Sequence, residues 1–102
     1  MIHVLAFVDL HPGRRDAWMK EFAKVTPAVH AEDGCLAYEA TVDADPPHPR
    51  ATAIGGDAVV IVERWRDMAA LIAHGNAPHM AAYRTATKDF VKGMTLRVLS
   101  PA

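Results

Sequence analysis

One stretch of the chain decides the fold: residues 60–84 read VIVERWRDMAALIAHGNAPHMAAYR. The stretch begins as an apolar run typical of a buried strand and continues into two segments with helical character. Asp67 can cap the first segment, MAALIAH, and Gly75 can end it. Asn76 can cap the second, with Pro78 in its first turn, where a missing N–H costs little. We therefore predict a strand followed by a helix that is broken in two.

The sequence on either side of this stretch adds three strands and one helix. Residues 2–10 are apolar or β-branched and predict a strand, while CLAYEATVD and MTLRVLS predict two more. Before CLAYEATVD, apolar residues recur at helical spacing and form one stripe, made of Trp18, Phe22, Val25 and Val29. Pro27 lies late in this stripe and should kink or end the helix, because it removes a backbone hydrogen bond.

The element order is therefore β-α-β-β-α-β, with the loop ADPPHPRATAIGGD between the second and third strands. Right-handed crossovers then place the helices on one face of an antiparallel sheet, which is the ferredoxin-like α+β fold. A chain of 102 residues suits one domain, 1–102.

Apolar residues on both faces of the central strands predict a homodimer. Helices can cover one sheet face only, yet the first strand carries Val4 and Val8 on one side and Leu5 and Phe7 on the other. An antiparallel sheet with one solvated face alternates cleanly between apolar and polar residues. A large apolar face left open marks an interaction surface. We expect two subunits to pack sheet to sheet. Leu5 and Val98 are candidates for the shared face, but the strand register is open, so one of the two can point inward instead.

The composition excludes several classes of function. The chain is 51% hydrophobic and 23% charged, so it can bury a core. Its net charge is −1 with both signs intermixed, which gives no electrostatic footprint for nucleic acid or for a membrane surface. The single cysteine, Cys35, fits a reducing compartment, and the N-terminus lacks the features of a signal peptide. We expect a cytoplasmic protein without nucleic-acid or membrane partners.

Several short motifs resemble those of the antibiotic biosynthesis monooxygenase (ABM) domain family. They are Glu63-Arg64-Trp65, Ala70-Leu71, His74, Pro78-His79, Tyr83, Pro12-Gly13 and Gly34-Cys35-Leu36-Ala37-Tyr38. The resemblance covers nearly the whole chain and lapses from roughly Asp43 to Asp57. It implies a dimeric α+β barrel of ferredoxin-like subunits, with a cavity between sheet and helices. Some family members oxidise phenols or quinols with O2 without a cofactor, and others degrade haem.

Three residues form the candidate catalytic site: His79, Trp65 and Tyr83. His79 and Tyr83 lie one helical turn apart, and the resemblance places a histidine here. The dipole at the nearby helix N-terminus favours a neutral imidazole, which can accept a proton from a phenol. Trp65 could point its indole N–H at a substrate oxygen, or it could simply close the core under the short helix.

The other candidate residues are assigned structural roles. His74 and His30 lie near the ends of predicted helices, where a histidine complements the helix dipole. Cys35 is expected to be a small buried hydrophobic residue. His74 and His79 lack the one-face spacing of a helical metal pair, so we predict no metal site. Without a phosphate loop or a dinucleotide fingerprint, we also predict no cofactor.

Three functions remain open on the sequence. The first is a cofactor-independent monooxygenase that oxidises a small phenolic, hydroquinone or polycyclic aromatic substrate with O2. The second is a haem-degrading enzyme with His79 as the iron ligand, but haem-degrading relatives carry Asn on the first strand, where this chain has Ala6, Phe7 and Val8. The third is a dimeric module that binds a small ligand without turnover.

Overall fold

The computed structural model describes residues 1–102 and confirms the predicted α+β, ferredoxin-like fold. The elements, in chain order, are β1 (Ile2–Leu10), α1 (Arg15–His30), β2 (Cys35–Thr41), β3 (Ala58–Trp65), α2 (Met68–Gly75), α3 (Pro78–Thr87) and β4 (Val91–Leu99). The strands form one antiparallel sheet in the order β2-β3-β1-β4. None of the three helices has the length and apolar character that crossing a bilayer requires.

The core lies between one face of the sheet and the helices. Strand residues that pair across β1 and β3 are buried on this face: Val4, Ala6, Val8, Val59, Ile61 and Glu63. The predicted apolar stripe of α1 is buried against them, and its Trp18 stacks on Phe22 with ring centroids 5.0 Å apart. Alternate strand residues thus face the helices, as the period of two in a strand requires.

The opposite face of the sheet carries apolar side chains and no helix. Leu5, Phe7, Val60 and Val62 lie there and are half-buried within the subunit. Of the two candidates for this face, Leu5 lies on it and Val98 does not. Val98 pairs with Val4 and therefore lies on the helix side, beyond the area that the helices cover.

Several element boundaries differ from those predicted. The strand β2 ends at Thr41 and not at Asp43, and Ala77, not Asn76, precedes α3 as its N-cap. The helix α1 does not end at Pro27 but runs to His30, and the N–H of Ala31 still donates to the carbonyl oxygen of Pro27 at 3.2 Å. The last strand begins at Val91, three residues before the predicted start, because a register shift beside Leu10 of β1 extends its pairing. Propensity alone does not reveal such pairing partners.

The Pro- and Gly-rich loop between β2 and β3 is closed at its base. Both carboxylate oxygens of Asp43 accept backbone N–H groups, from Ile54 and Gly55, each at 2.9 Å. These two hydrogen bonds lower the pKa of Asp43. The loop therefore leaves and re-enters the sheet at a fixed place.

Candidate active site

A cavity of about 310 Å³ lies between the sheet and the helices α2 and α3, and it opens to solvent beside the exposed Met94 and Leu96 of β4. Most of its wall is apolar and comes from Ala6, Ile61, Leu71, Met80, Met94 and Leu96. Polar side chains interrupt this wall at five positions: Tyr38, Glu63, His74, Tyr83 and Arg84. An apolar pocket with a few convergent polar groups is the usual form of a small-molecule site.

Glu63 places a carboxyl group in the covered face of β3. The residue is only 4% exposed, and its Oε1 accepts the indole N–H of Trp65 at 2.9 Å. Burial raises the pKa of Glu63, because the charged form loses its hydration, although the Trp65 hydrogen bond partly opposes this effect. The cavity therefore contains an acid that resists ionisation.

One carboxylate oxygen joins two histidines at the edge of the cavity. Glu32, in the turn after α1, has its Oε2 2.8 Å from Nδ1 of His74 and 2.9 Å from Nε2 of His79. A carboxylate accepts hydrogen bonds, so it selects the tautomers that carry protons on those two nitrogens. His74 then keeps the lone pair of Nε2 unprotonated, and its ring lines the cavity. This arrangement suits His74 for accepting a proton from a bound ligand.

The two histidines differ in their access to solvent. The His74 side chain is 8% exposed, whereas the His79 side chain is 29% exposed. His79 lines a separate groove of about 320 Å³ between α1 and α3, not the cavity. His74, which was predicted to complement the helix dipole, therefore lines the cavity. His79, which was predicted to be the proton acceptor, lies outside it.

Trp65 lies behind the cavity wall. It is fully buried, and its ring centroid is 4.6 Å from that of His74. Because its N–H already binds Glu63, Trp65 supports Glu63 and His74 from behind instead of contacting the cavity.

Tyr83 does line the cavity, and it also borders the groove that contains His79. Burial raises its pKa to about 12. Tyr38 contributes the second phenol, whose pKa is also raised by burial. Both hydroxyl groups thus remain protonated near neutral pH and can act as hydrogen-bond donors.

The sequence analysis did not identify Glu63, Glu32 and Tyr38 as site residues. For Glu63 a signal existed, since the alternation of Val59, Ile61 and Trp65 places an acid on the apolar face of β3. Nothing local marks Glu32, which lies in a turn. Across the chain, no group of three or more His, Cys, Asp or Glu side chains has the arrangement of a metal site. Both histidines instead direct their nitrogens at one oxygen.

Comparisons with known proteins agree with this architecture. The sequence model of the family described as antibiotic biosynthesis monooxygenase matches residues 1–86. YgiN of Escherichia coli (strain K12), named a probable quinol monooxygenase, is 37% identical over 103 aligned positions, which cover 99% of this chain and 98% of YgiN. The structure of Rv0793 from Mycobacterium tuberculosis has a TM-score of 0.80 at 27% identity, and the match covers 99% of this chain and 94% of the Rv0793 chain. PA3566 from Pseudomonas aeruginosa has a TM-score of 0.81 at 23% identity, covers 99% and 93% of the two chains, and shows the fold alone.

Proposed function

The chain belongs to the antibiotic biosynthesis monooxygenase family, and we propose that it oxidises a quinol or a similar hydroxylated aromatic with O2 in its cavity. The family membership makes it a monooxygenase, an oxidoreductase that uses O2. The observation that carries the proposal is His74, a cavity histidine whose Nδ1 is held by the Glu32 carboxylate. The name of YgiN supports a quinol as the substrate class.

The cavity supports a small aromatic substrate. Its volume of about 310 Å³ lies at the lower end of the range for ligand pockets, so it suits a molecule of one or two rings. Apolar side chains on the sheet and on α2 and α3 would contact the ring faces. The hydroxyl groups of Tyr38 and Tyr83, together with His74, would bind the oxygen atoms of the substrate.

The reaction begins with a proton transfer in this proposal. Nε2 of His74 takes the proton of one quinol hydroxyl, and Glu32 stabilises the resulting imidazolium. The electron-rich quinolate then transfers an electron to O2, and the two radicals combine at a ring carbon to form a hydroperoxide.

Cleavage of the O–O bond leaves one oxygen on the ring and releases the other as water, with the proton returned by His74. A quinol and O2 thus give a hydroxyquinone and water, with no external reductant. The substrate itself supplies the electrons, so we propose that the reaction proceeds without a cofactor.

Glu63, Trp65 and His79 have supporting roles in this proposal. Trp65 holds Glu63 through its indole N–H and packs against the His74 ring. Burial raises the pKa of Glu63, and in its protonated form the carboxyl group can offer a hydrogen bond to an oxygen that gains charge during the reaction. His79 contacts Glu32 and not the cavity.

We further propose that two copies pack through the open face of the sheet. Leu5, Phe7, Val60 and Val62 support this, because no element of the subunit covers them. The family match ends at residue 86, but β4 pairs with β1 along its length, so we assign residues 1–102 to one domain. A single cysteine supports a cytoplasmic location.

Oxygen uptake with a panel of hydroquinones tests the proposal. His74→Gln keeps a polar side chain of similar size but removes the base, so kcat should fall roughly a hundredfold or more. His48→Gln, in the exposed loop, is the matched control and should keep the rate of the unmodified protein. Circular dichroism confirms equal folding of the variants.

Three results would count against the proposal or a part of it. Equal rates in His74→Gln and the unmodified protein would remove His74 from the mechanism. Absence of uptake with every hydroquinone, together with tight binding of the same compounds, would favour a ligand-binding module. Loss of activity on dialysis against a chelator would overturn the cofactor-free part alone.

A further inference from the structure

We propose that His79 is a positioning residue that controls the protonation of His74 through their shared carboxylate, so that a proton gained at His74 is matched by a proton lost from His79. This inference rests on the proposed function for its catalytic meaning, because there His74 is the base. The linkage between the two histidines is a property of the folded protein and exists without any substrate.

The geometry supplies one negative charge for two imidazoles. Both contacts reach the same oxygen, Oε2 of Glu32, at 2.8 Å from His74 and 2.9 Å from His79. The Glu32 side chain is 13% exposed, so solvent screens it weakly. The single carboxylate stabilises one imidazolium. A second imidazolium at this distance would be repelled by the first, and the one negative charge of Glu32 cannot balance both. Their protonation states are therefore anticorrelated.

Other charged groups near the pair do not relieve this competition. Facing His79 from α1, Glu21 and Lys24 form an ion pair with each other at 3.0 Å. Glu63 lines the same cavity as His74; burial raises the pKa of Glu63, and the positive charge of a protonated His74 partly opposes that rise. Other titratable and charged groups near the two rings are Tyr38 on β2, Cys35 at its start, and Tyr83 and Arg84 on α3. Arg66 and Asp33, which share a surface pocket with Glu32, form an ion pair with each other at 3.0 Å. Burial keeps both phenols and the Cys35 thiol protonated and neutral, and Arg84 donates to the carbonyl oxygen of Gly75.

The difference in solvent exposure between the two histidines sets the direction of proton movement. His74 is nearly buried and lines the cavity, while His79 is more exposed and borders the groove between α1 and α3. When the substrate proton arrives at Nε2 of His74, a charged His79 releases the proton on its Nδ1 to water in the groove. When His74 returns its proton to the departing oxygen, His79 regains one. The net charge of the cluster stays constant, and a charged His79 keeps His74 neutral between turnovers.

NMR titration of the histidine rings in the substrate-free protein tests this linkage. In the unmodified protein, the His74 and His79 curves should each be broadened or biphasic, as expected for two sites that compete for one charge. His79→Gln retains an N–H donor for Glu32 but carries no charge. In that variant, the titration of His74 should move to higher pH, because no second imidazole competes for the Glu32 carboxylate. His48→Gln is the control and should leave both curves unchanged.

Kinetics separate this role from simple structural support. In His79→Gln, the acidic limb of the kcat/KM profile for hydroquinone oxidation should move to higher pH by the same amount, while the alkaline plateau keeps its height. Glu32→Gln should abolish the linkage, so that adding His79→Gln to it produces no further shift.

An unchanged His74 titration in folded His79→Gln would overturn the inference, as would a lowered plateau with an unmoved limb. If His79→Gln does not fold, the unmodified curves decide, and independent single-site titrations in them would also overturn it. A failure to oxidise any quinol would affect only the proposed function, because the NMR measurement needs no turnover.

Discussion

Glu63 is the residue at which the demands of the site and of the core differ most. Burying an apolar side chain at this position of β3 would cost less free energy than burying a carboxyl group, because a carboxyl group loses its hydration. The indole N–H of Trp65 satisfies one oxygen of this carboxyl group and limits that cost. A buried acid in a cavity that also contains His74 is typical of a functional site.

The raised pKa of Glu63 predicts a pH-dependent contribution to stability. The folded protein holds the proton more tightly than the unfolded chain, whose carboxyl group has a pKa near 4.5. The stabilisation is therefore complete below that value and is lost as pH rises through the folded pKa. Glu63→Gln cannot ionise and still accepts the Trp65 N–H.

Relative to the unmodified protein, Glu63→Gln should thus gain free energy of unfolding between about pH 4 and about pH 7. Urea denaturation at the two pH values measures this difference, and titrations common to both proteins cancel. A difference that stays constant or falls with pH would contradict the raised pKa.

At the scale of elements, the break between α2 and α3 makes the histidine cluster possible. His74 and His79 are five positions apart, and on one continuous helix they would point about 140° apart. The chain instead leaves α2 at Gly75 and starts α3 at Pro78, which lets both rings reach Glu32. Asp67 fixes the start of α2 by accepting the N–H of Ala70 at 2.8 Å.

The turn that carries Glu32 depends on Gly34. Gly34 has φ +83°, and a Cβ added there would lie 2.7 Å from Cβ of Ala70 in α2. Gly34→Ala should therefore combine left-handed backbone strain with overpacking and lower the free energy of unfolding by about 2–4 kcal/mol.

Gly13→Ala is the matched control for this prediction. Gly13 has φ +77° but nothing within 4 Å of the added Cβ, so only the strain of about 1–2 kcal/mol applies. Chemical denaturation of both variants measures the two costs. Equal losses would show that close contact with α2 does not matter.

At the scale of the whole molecule, the two faces of the sheet have different uses. One face and the helices enclose the core and the cavity, while the other presents apolar side chains of β1 and β3 outward. The central position of these strands in the sheet order places the apolar residues in the middle of the open face. A second copy of the chain is the partner we propose for it.

Leu5→Glu should weaken this dimer strongly. Leu5 pairs with Val62 on β3 and Arg97 on β4, so its side chain lies on the open face. Burying an uncompensated carboxylate costs about 3–5 kcal/mol, which corresponds to at least a hundredfold rise in the dissociation constant. Ile72→Glu, at an exposed apolar position on α2, is the control and should stay dimeric. Sedimentation velocity measures the masses, and a stable folded monomer in the unmodified protein would refute the proposed dimer.

Local patterns in the sequence were enough for the element order, the ferredoxin-like topology and the family. The helical stripe of α1, the cap at Asp67, and Pro78 at the start of α3 are signals within a few neighbouring residues, and the structure keeps all of them. Such signals act through backbone geometry and periodic burial, which the sequence displays directly. The apolar character of both sides of β1 is visible in the same way.

Only the tertiary structure decided which side chains meet in the site. Glu32 is 42 residues from His74 and 47 residues from His79, and no local pattern relates positions so far apart. The register of β4, which put Val98 on the helix face, likewise depends on its pairing with β1. These contacts follow from the packing of the whole chain, because a shift of one residue in a strand or a small rotation of a helix would exchange cavity for solvent. The same packing places His74 in the cavity wall and His79 in the groove between α1 and α3.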